Sequence, residues 1–126
     1  MNLESIAEYL NAQGLGVPGQ TVFVHKMPAE VKEGILLLSS LSGTQIDYEL
    51  PKYRKTKFQA IVRHTNHIGG KELSKQVMNA LTLYNHNLTG MKVKRIRPRH
   101  EPIVFPVSKG NLLEFSVNYD AIYVLT

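Results

Sequence analysis

The sequence contains no cysteine. Disulfides, thiolate nucleophiles and Cys-ligated metal or iron–sulfur sites are thereby excluded. Long apolar runs are also missing: the longest reach four or five residues, as at Ile35–Leu38. A membrane-spanning helix needs roughly 20. The opening stretch MNLESIAEYL is amphipathic and carries acids without a basic flank, unlike a signal peptide. A soluble chain of a cytoplasmic compartment, without membrane contact, is therefore expected. Internal repeats, low-complexity tracts and linkers long enough to divide domains are absent too. What is present is 126 residues, 43% hydrophobic and 20% charged. That is the size and balance of one globular domain rather than a disordered chain.

Catalytic signatures are equally scarce. Seven serines stand outside any G-x-S-x-G elbow and read as caps and turns. His64 and His67 are the one close histidine pair, with Glu72 as the nearest further ligand type. A zinc site needs three or four ligands in defined geometry. The carboxylate pairs Glu30/Glu33 and Asp47/Glu49 have no neighbour that would split their pKa values. Gly14-Leu15-Gly16 with Gly19 follows a helix rather than a strand, so the dinucleotide fingerprint fails on context. No enzyme activity, cofactor or metal is expected.

Charge is the first positive signal. Fifteen Lys and Arg against ten Asp and Glu give +5. Residues 1–51 hold two bases and six acids, whereas residues 52–126 hold thirteen bases and four acids. A protomer divided in this way suits an anionic partner or a charge-complementary neighbour.

Periodicity supplies the elements. Asn2 caps a first helix whose Leu3, Ile6, Ala7 and Leu10 share one face, and Gly14 stops it. Thr21–His25 and Gly34–Ser39 read as strands, the second buried on both faces. Residues 39–57 show no period of 2 or 3.6, so a long loop at about 40–57 is expected, one that orders on a partner. Lys57–Thr65 resumes as a strand, with Phe58, Ala60 and Val62 on one face and Gln59, Ile61 and Arg63 on the other. Gly69-Gly70 breaks it. A second helix over about 71–84 places Leu73, Val77, Ala80, Leu81 and Tyr84 in a stripe, ended by Asn85, Asn87 and Gly90.

Met91–Arg97 is a basic strand, and Ile103–Phe105, between prolines, is at best an edge strand. Ser108-Lys109-Gly110-Asn111 is a turn. Residues 112–124 alternate cleanly, with Leu113, Phe115, Val117, Tyr119, Ala121 and Tyr123 on one side. The whole predicts an α+β domain over 1–126. It has a mostly antiparallel sheet of four to six strands, with two amphipathic helices packed on one face. The other face must meet solvent or another subunit.

Two basic runs stand out. Lys52, Arg54, Lys55 and Lys57 accompany Tyr53. Lys92, Lys94, Arg95, Arg97 and Arg99 crowd eight residues, and on a regular strand Arg95, Arg97 and Arg99 share a face that Val93 continues. Such a stripe can track a phosphate backbone, which keeps a small basic nucleic-acid-binding module as the alternative reading. It lacks the aromatic platform of a single-strand reader and any helix-turn-helix, RNP or GXXG motif. A charged edge strand protected from aggregation explains it equally well.

The stretch Gly43-Thr44-Gln45-Ile46-Asp47-Tyr48-Glu49-Leu50-Pro51-Lys52-Tyr53, followed by Phe58-Gln59-Ala60-Ile61-Val62-Arg63, resembles the tail terminator (minor capsid, tail-to-head joining) proteins of long-tailed bacteriophages. The resemblance extends to the order of elements along most of the chain and to Val117-Asn118-Tyr119 in the last strand. It implies a structural virion protein of the tail and neck, assembled in the host cytoplasm. Protomers of that family form a hexameric ring on the last ring of the tail tube protein. The ring stops tube growth and offers a surface to the head-completion (stopper) protein, and DNA later passes through it. On that reading the loop residues Asp47, Tyr48, Glu49, Tyr53, Arg54 and Lys55 carry tube or neighbour contacts, since tyrosine and arginine dominate interface hot spots. The basic stripe of Lys92, Lys94, Arg95, Arg97 and Arg99 either pairs with acids of a neighbour or makes transient, non-specific contact with phage DNA.

Overall fold

The computed structural model describes residues 1–106 and 112–126. The turn expected at Ser108-Lys109-Gly110-Asn111 lies outside the described residues. The chain opens with helix α1 (Leu3–Ala12), then β1 (Val22–Val24), β2 (Gly34–Ser39), β3 (Gln45–Ile46) and β4 (Tyr53–His64). Helix α2 (His67–Ala80) follows, then β5 (Leu83–Leu88), β6 (Met91–Pro98), β7 (Ile103–Pro106) and β8 (Leu113–Leu125). The class is α+β, as expected, but the sheet has eight strands among the described residues rather than four to six. Among those residues no helix is long and apolar enough to cross a membrane.

The sheet is built on one long ladder. β4 and β8 pair antiparallel over their full lengths, from Tyr53↔Val124 to His64↔Leu113. Each then has two shorter partners on its far side. β4 takes β2 along Phe58–Arg63 and β3 at Arg54 and Lys55. β8 takes β6 along residues 119–125 and β7 along residues 113–116. β5 extends β6, and β1 extends β2 in the one parallel pair among the described residues. The two extra short strands, β3 and β7, therefore sit at diagonal corners of the ladder.

One row of each central strand faces the core. Phe58, Ala60 and Val62 of β4 and Phe115, Val117, Tyr119, Ala121 and Tyr123 of β8 are all buried. They join Leu3, Ile6, Ala7 and Leu10 of α1 and Val77 and Leu81 from the α2 end in a single cluster. The cap on α1 forms as expected, with Asn2 Oδ1 accepting from the Ser5 amide at 3.3 Å. β2 departs from its expectation: Ile35 and Leu37 are buried, while Leu36 and Leu38 are only half-buried on the opposite face.

Helix α2 corrects two readings. It begins at His67, capped by Asn66, whose side chain accepts from the Gly69 amide at 2.6 Å. Gly69 and Gly70 thus lie inside the helix instead of breaking a strand. The helix ends at Ala80, four residues before Tyr84. Leu81 and Leu83 are buried, but Tyr84 is exposed on β5 opposite Arg95. The apolar spacing runs past the end of the helix, so periodicity alone does not mark the stop. Asn85 is in the left-handed region at φ 50° within β5, and Gly90, at φ 80°, turns β5 into β6.

Tyr119 is the largest fully buried side chain and stacks on Phe58, with centroids 4.8 Å apart and rings 9° from parallel. Burial pushes its phenol well above the ordinary value of 10.0. The folded state therefore binds the phenolic proton more tightly than the unfolded chain. Stability is fully present below pH 10 and falls as the pH rises beyond it. Thermal melts across pH 8–12 should show this alkaline loss, and Tyr119→Phe should flatten it with little change in Tm at neutral pH.

Candidate functional site

Residues 39–57, expected to lack regular structure, form a hairpin arm instead. β3 pairs with the start of β4, which begins at Tyr53 and not at Lys57. This part of β4 escapes detection because it is held by its partners rather than by an apolar row. Thr56 sits in the buried row, and its hydroxyl bonds Thr44 Oγ1 at 3.0 Å. Tyr123, behind it on β8, has its phenol pushed up by burial, against the opposing pull of the Thr44 hydrogen bond and the Arg54 charge.

The arm is closed by its own polar groups. Asp47 Oδ1 accepts from the amides of Glu49 and Leu50, both at 2.9 Å. The Tyr53 amide donates to the Leu50 carbonyl at 2.8 Å. The Arg54 guanidinium donates to the carbonyls of Pro51 and Tyr53. Asp47, Tyr53 and Arg54 are half-buried and engaged in shaping the turn, whereas Tyr48, Glu49 and Lys55 are exposed. Tyr48 is 102% exposed, flanked by Ile46 at 61% and Leu50 at 59%. Three large apolar side chains are thus exposed at the tip of the arm.

The basic stripe is placed differently from its expectation. Val93 is fully buried and does not continue the arginine row. The register between β6 and β8 shifts between Val93 and Arg95, leaving Lys94 as an extra residue. Asn85 and Lys94 likewise fall between the matched pairs of β5 and β6. This bulge reverses the alternation, so Val93 and Ile96 both reach the core while Arg95 and Arg97 stay on the outer face. Lys92 lies on that outer face as well.

Across β8 the stripe meets the other basic run. Lys55 and Arg95 flank Ile122, and Lys57 and Arg97 flank Asp120. Arg99 Nε lies 3.6 Å from Asp120 Oδ2. Lys55, Lys57, Arg95 and Arg97 line an open groove of about 450 Å³ with Asp120 and Ile122. Four cations and one carboxylate therefore line the groove, and that carboxylate pairs with Arg99. Sequence separation hides the contributions of Lys57 and Asp120; only the strand register reveals them.

Farther along the same face Arg63 is paired with a carboxylate. Arg63 Nη2 lies 3.2 Å from Glu114 Oε2, and its Nη1 donates to the carbonyls of Pro28 and Val31 at 3.1 and 3.0 Å. His64 Nε2 is 3.8 Å from Glu33 Oε1. Among the described residues no group of three or more His, Asp or Glu side chains is placed to hold a metal ion.

Among the described residues the arrangement offers an exposed apolar tip and a basic groove. A family model described as bacteriophage tail terminator protein matches residues 9–125. The chain belongs to the bacteriophage tail terminator family. The matched span runs from within α1 to the end of β8 and so includes both the arm and the basic face. The terminator's fold is also similar to a chain in a solved structure described as the virion of a native gene transfer agent (GTA) particle. The TM-score is 0.63 at 11% identity, over 94% of this chain and 85% of that one. No curated protein sequence matches the terminator. Family membership makes it a structural protein of the phage virion.

Proposed function

We propose that this terminator forms a six-subunit ring that caps the tail tube, stops its polymerisation and presents the docking surface for the head-completion protein at the neck. The family match over residues 9–125 carries this reading. Physically, growth ends when the exposed ring face no longer offers the tube's self-complementary surface. A terminator must match the tube on one face and mismatch itself on the other. The arm at residues 40–57, with Asp47, Tyr48, Glu49, Tyr53, Arg54 and Lys55, is the proposed contact region and tightens on its partner. Its exposed Tyr48 and Leu50 support that assignment.

Native mass spectrometry over a wide concentration range, with negative-stain imaging of the same samples, tests the ring. A six-subunit species seen as rings is the expected result. A monomer at every concentration, with DNA binding that weakens steeply as salt rises, would favour the basic nucleic-acid module instead.

The groove of Lys55, Lys57, Arg95 and Arg97 supports an anionic partner, either acids of a neighbouring subunit or passing DNA. Arg95→Ala with Arg97→Ala is expected to impair virion assembly or DNA passage in a complementation assay. Stability should stay within about 0.5 kcal/mol of the parent, because both side chains lie on the outer face. Full infectivity of that variant would reduce the face to a solvated one.

A further inference from the structure

The tip of the arm has a complementary surface elsewhere on the same chain. Between α2 and β7 lies a groove of about 230 Å³. Met78, Pro102, Val104 and Phe115 supply apolar walls, and Lys71 and Lys75 stand on its rim. His67 and Glu101 also line it. Lys71 and Lys75 are four residues apart on α2 and so lie on one side of the helix. The space suffices for an aromatic ring, given that a cavity of about 150 Å³ holds benzene.

The tip presents the converse. Tyr48 stands fully out, Ile46 and Leu50 flank it, and Glu49 is exposed beside it. A protomer's own tip is out of reach of its own groove. Ile46 pairs with Arg54 at one end of β4, whereas Phe115 pairs with Val62 near the other. Eight residues of strand separate them, roughly 26 Å at about 3.3 Å per residue. The basic groove across β8 is a poorer seat for Tyr48, because cations dominate its walls.

We propose that Tyr48 of one protomer seats in the α2–β7 groove of the next, with Glu49 against Lys71 and Lys75. The proposal rests on the ring reading and supplies its contact. Two different surfaces that mate head to tail build a ring where the rotation closes and a filament where it does not, whereas a surface that mates with itself stops at a dimer. Tyrosine suits the role, since it buries a large rigid area and keeps a polar end at the rim. The carboxylate and the two ammonium groups fix the register.

The chain has no native cysteine, so paired cysteines report the contact directly. Tyr48→Cys combined with Met78→Cys, in the full chain under mild oxidation, is expected to give a ladder of covalent oligomers up to the ring. Neither single variant should exceed a dimer. Lys75→Cys, at an exposed position, replaces Met78→Cys if the latter disturbs packing. Glu49→Lys is expected to weaken assembly about tenfold, and Lys71→Glu with Lys75→Glu should restore it in the same chain. Rings by native mass spectrometry without a cross-linked ladder would overturn this contact and leave the ring standing. Covalent dimers from the double variant and nothing larger would mean a two-fold contact and also overturn it. Absence of rings in the parent protein would remove the ring reading itself.

Discussion

Gly70→Ala is expected to destabilise the fold by about 2–3 kcal/mol, although alanine is the better helix former. The two effects oppose each other, and their sizes decide the sign. Glycine inside a helix costs about 1 kcal/mol relative to alanine, so propensity alone would favour the substitution. A Cβ on Gly70, however, would stand 2.1 Å from Phe115 Cε1 and 2.8 Å from both Cδ1 and Cζ. The Phe115 ring is only 2% exposed, and His67 packs against it with centroids 5.8 Å apart. Withdrawing toward the α2–β7 groove that it lines would take the ring out of the core and into water. Either α2 lifts from the β4–β8 ladder or the ring leaves its rotamer, and both cost more than the helix gains. Denaturant melts would measure the loss. A double-mutant cycle sharpens the test: Phe115→Leu removes the ring, so Gly70→Ala should cost far less in that background. Equal costs in both backgrounds would mean that the helix does not sit on Phe115.

Arg63→Ala is the second large effect, expected at about 3 kcal/mol. The guanidinium joins three segments. It pairs with Glu114 directly across the ladder and donates to the carbonyls of Pro28 and Val31. Its side chain is 14% exposed and that of Glu114 is 25% exposed. Truncation would leave a partly desolvated carboxylate without its partner and the Val31 carbonyl without its donor, while the Pro28 carbonyl keeps the Val31 amide. Arg63→Lys should recover only part of the loss, since a single ammonium cannot reach all three acceptors in the guanidinium's fork geometry. The companion variant Glu114→Gln should cost less than Arg63→Ala, because the Pro28 and Val31 bonds survive. The reverse order would place the main energy in the ion pair.

Most of the fold was legible from periodicity. The four core positions of α1, the Phe58–Ala60–Val62 row and the long alternation of β8 are all read correctly, because each has one buried and one wetter side. Three features were not legible, each for a physical reason. The end of α2 is hidden because Leu81, Leu83 and Tyr84 continue an apolar pattern into β5. The start of β4 is hidden because Thr56 occupies a buried position through a hydroxyl pair with Thr44 rather than through hydrophobicity. The facing of Val93 is hidden because a bulge is a property of two strands together and leaves no mark on one.

The candidate surfaces follow the same division. Tyr48, Glu49 and Lys55 were identifiable as residue types in a polar segment, and they are exposed on the arm. The basic groove was half legible: Arg95 and Arg97 announce themselves, but their alignment with Lys55 and Lys57 depends on strand register. The α2–β7 groove had no signature, since its walls come from residues 67 to 115 and only the fold gathers them.

The central claim is that a ring of this protein ends tube growth. Purified tail tubes incubated with the terminator and then given fresh tube protein test it most directly, with lengths and tube ends followed by electron microscopy. The expected result is one added six-fold ring at the growing end and no further elongation. Tubes that elongate at the rate of untreated ones, with bare ends, would contradict the account.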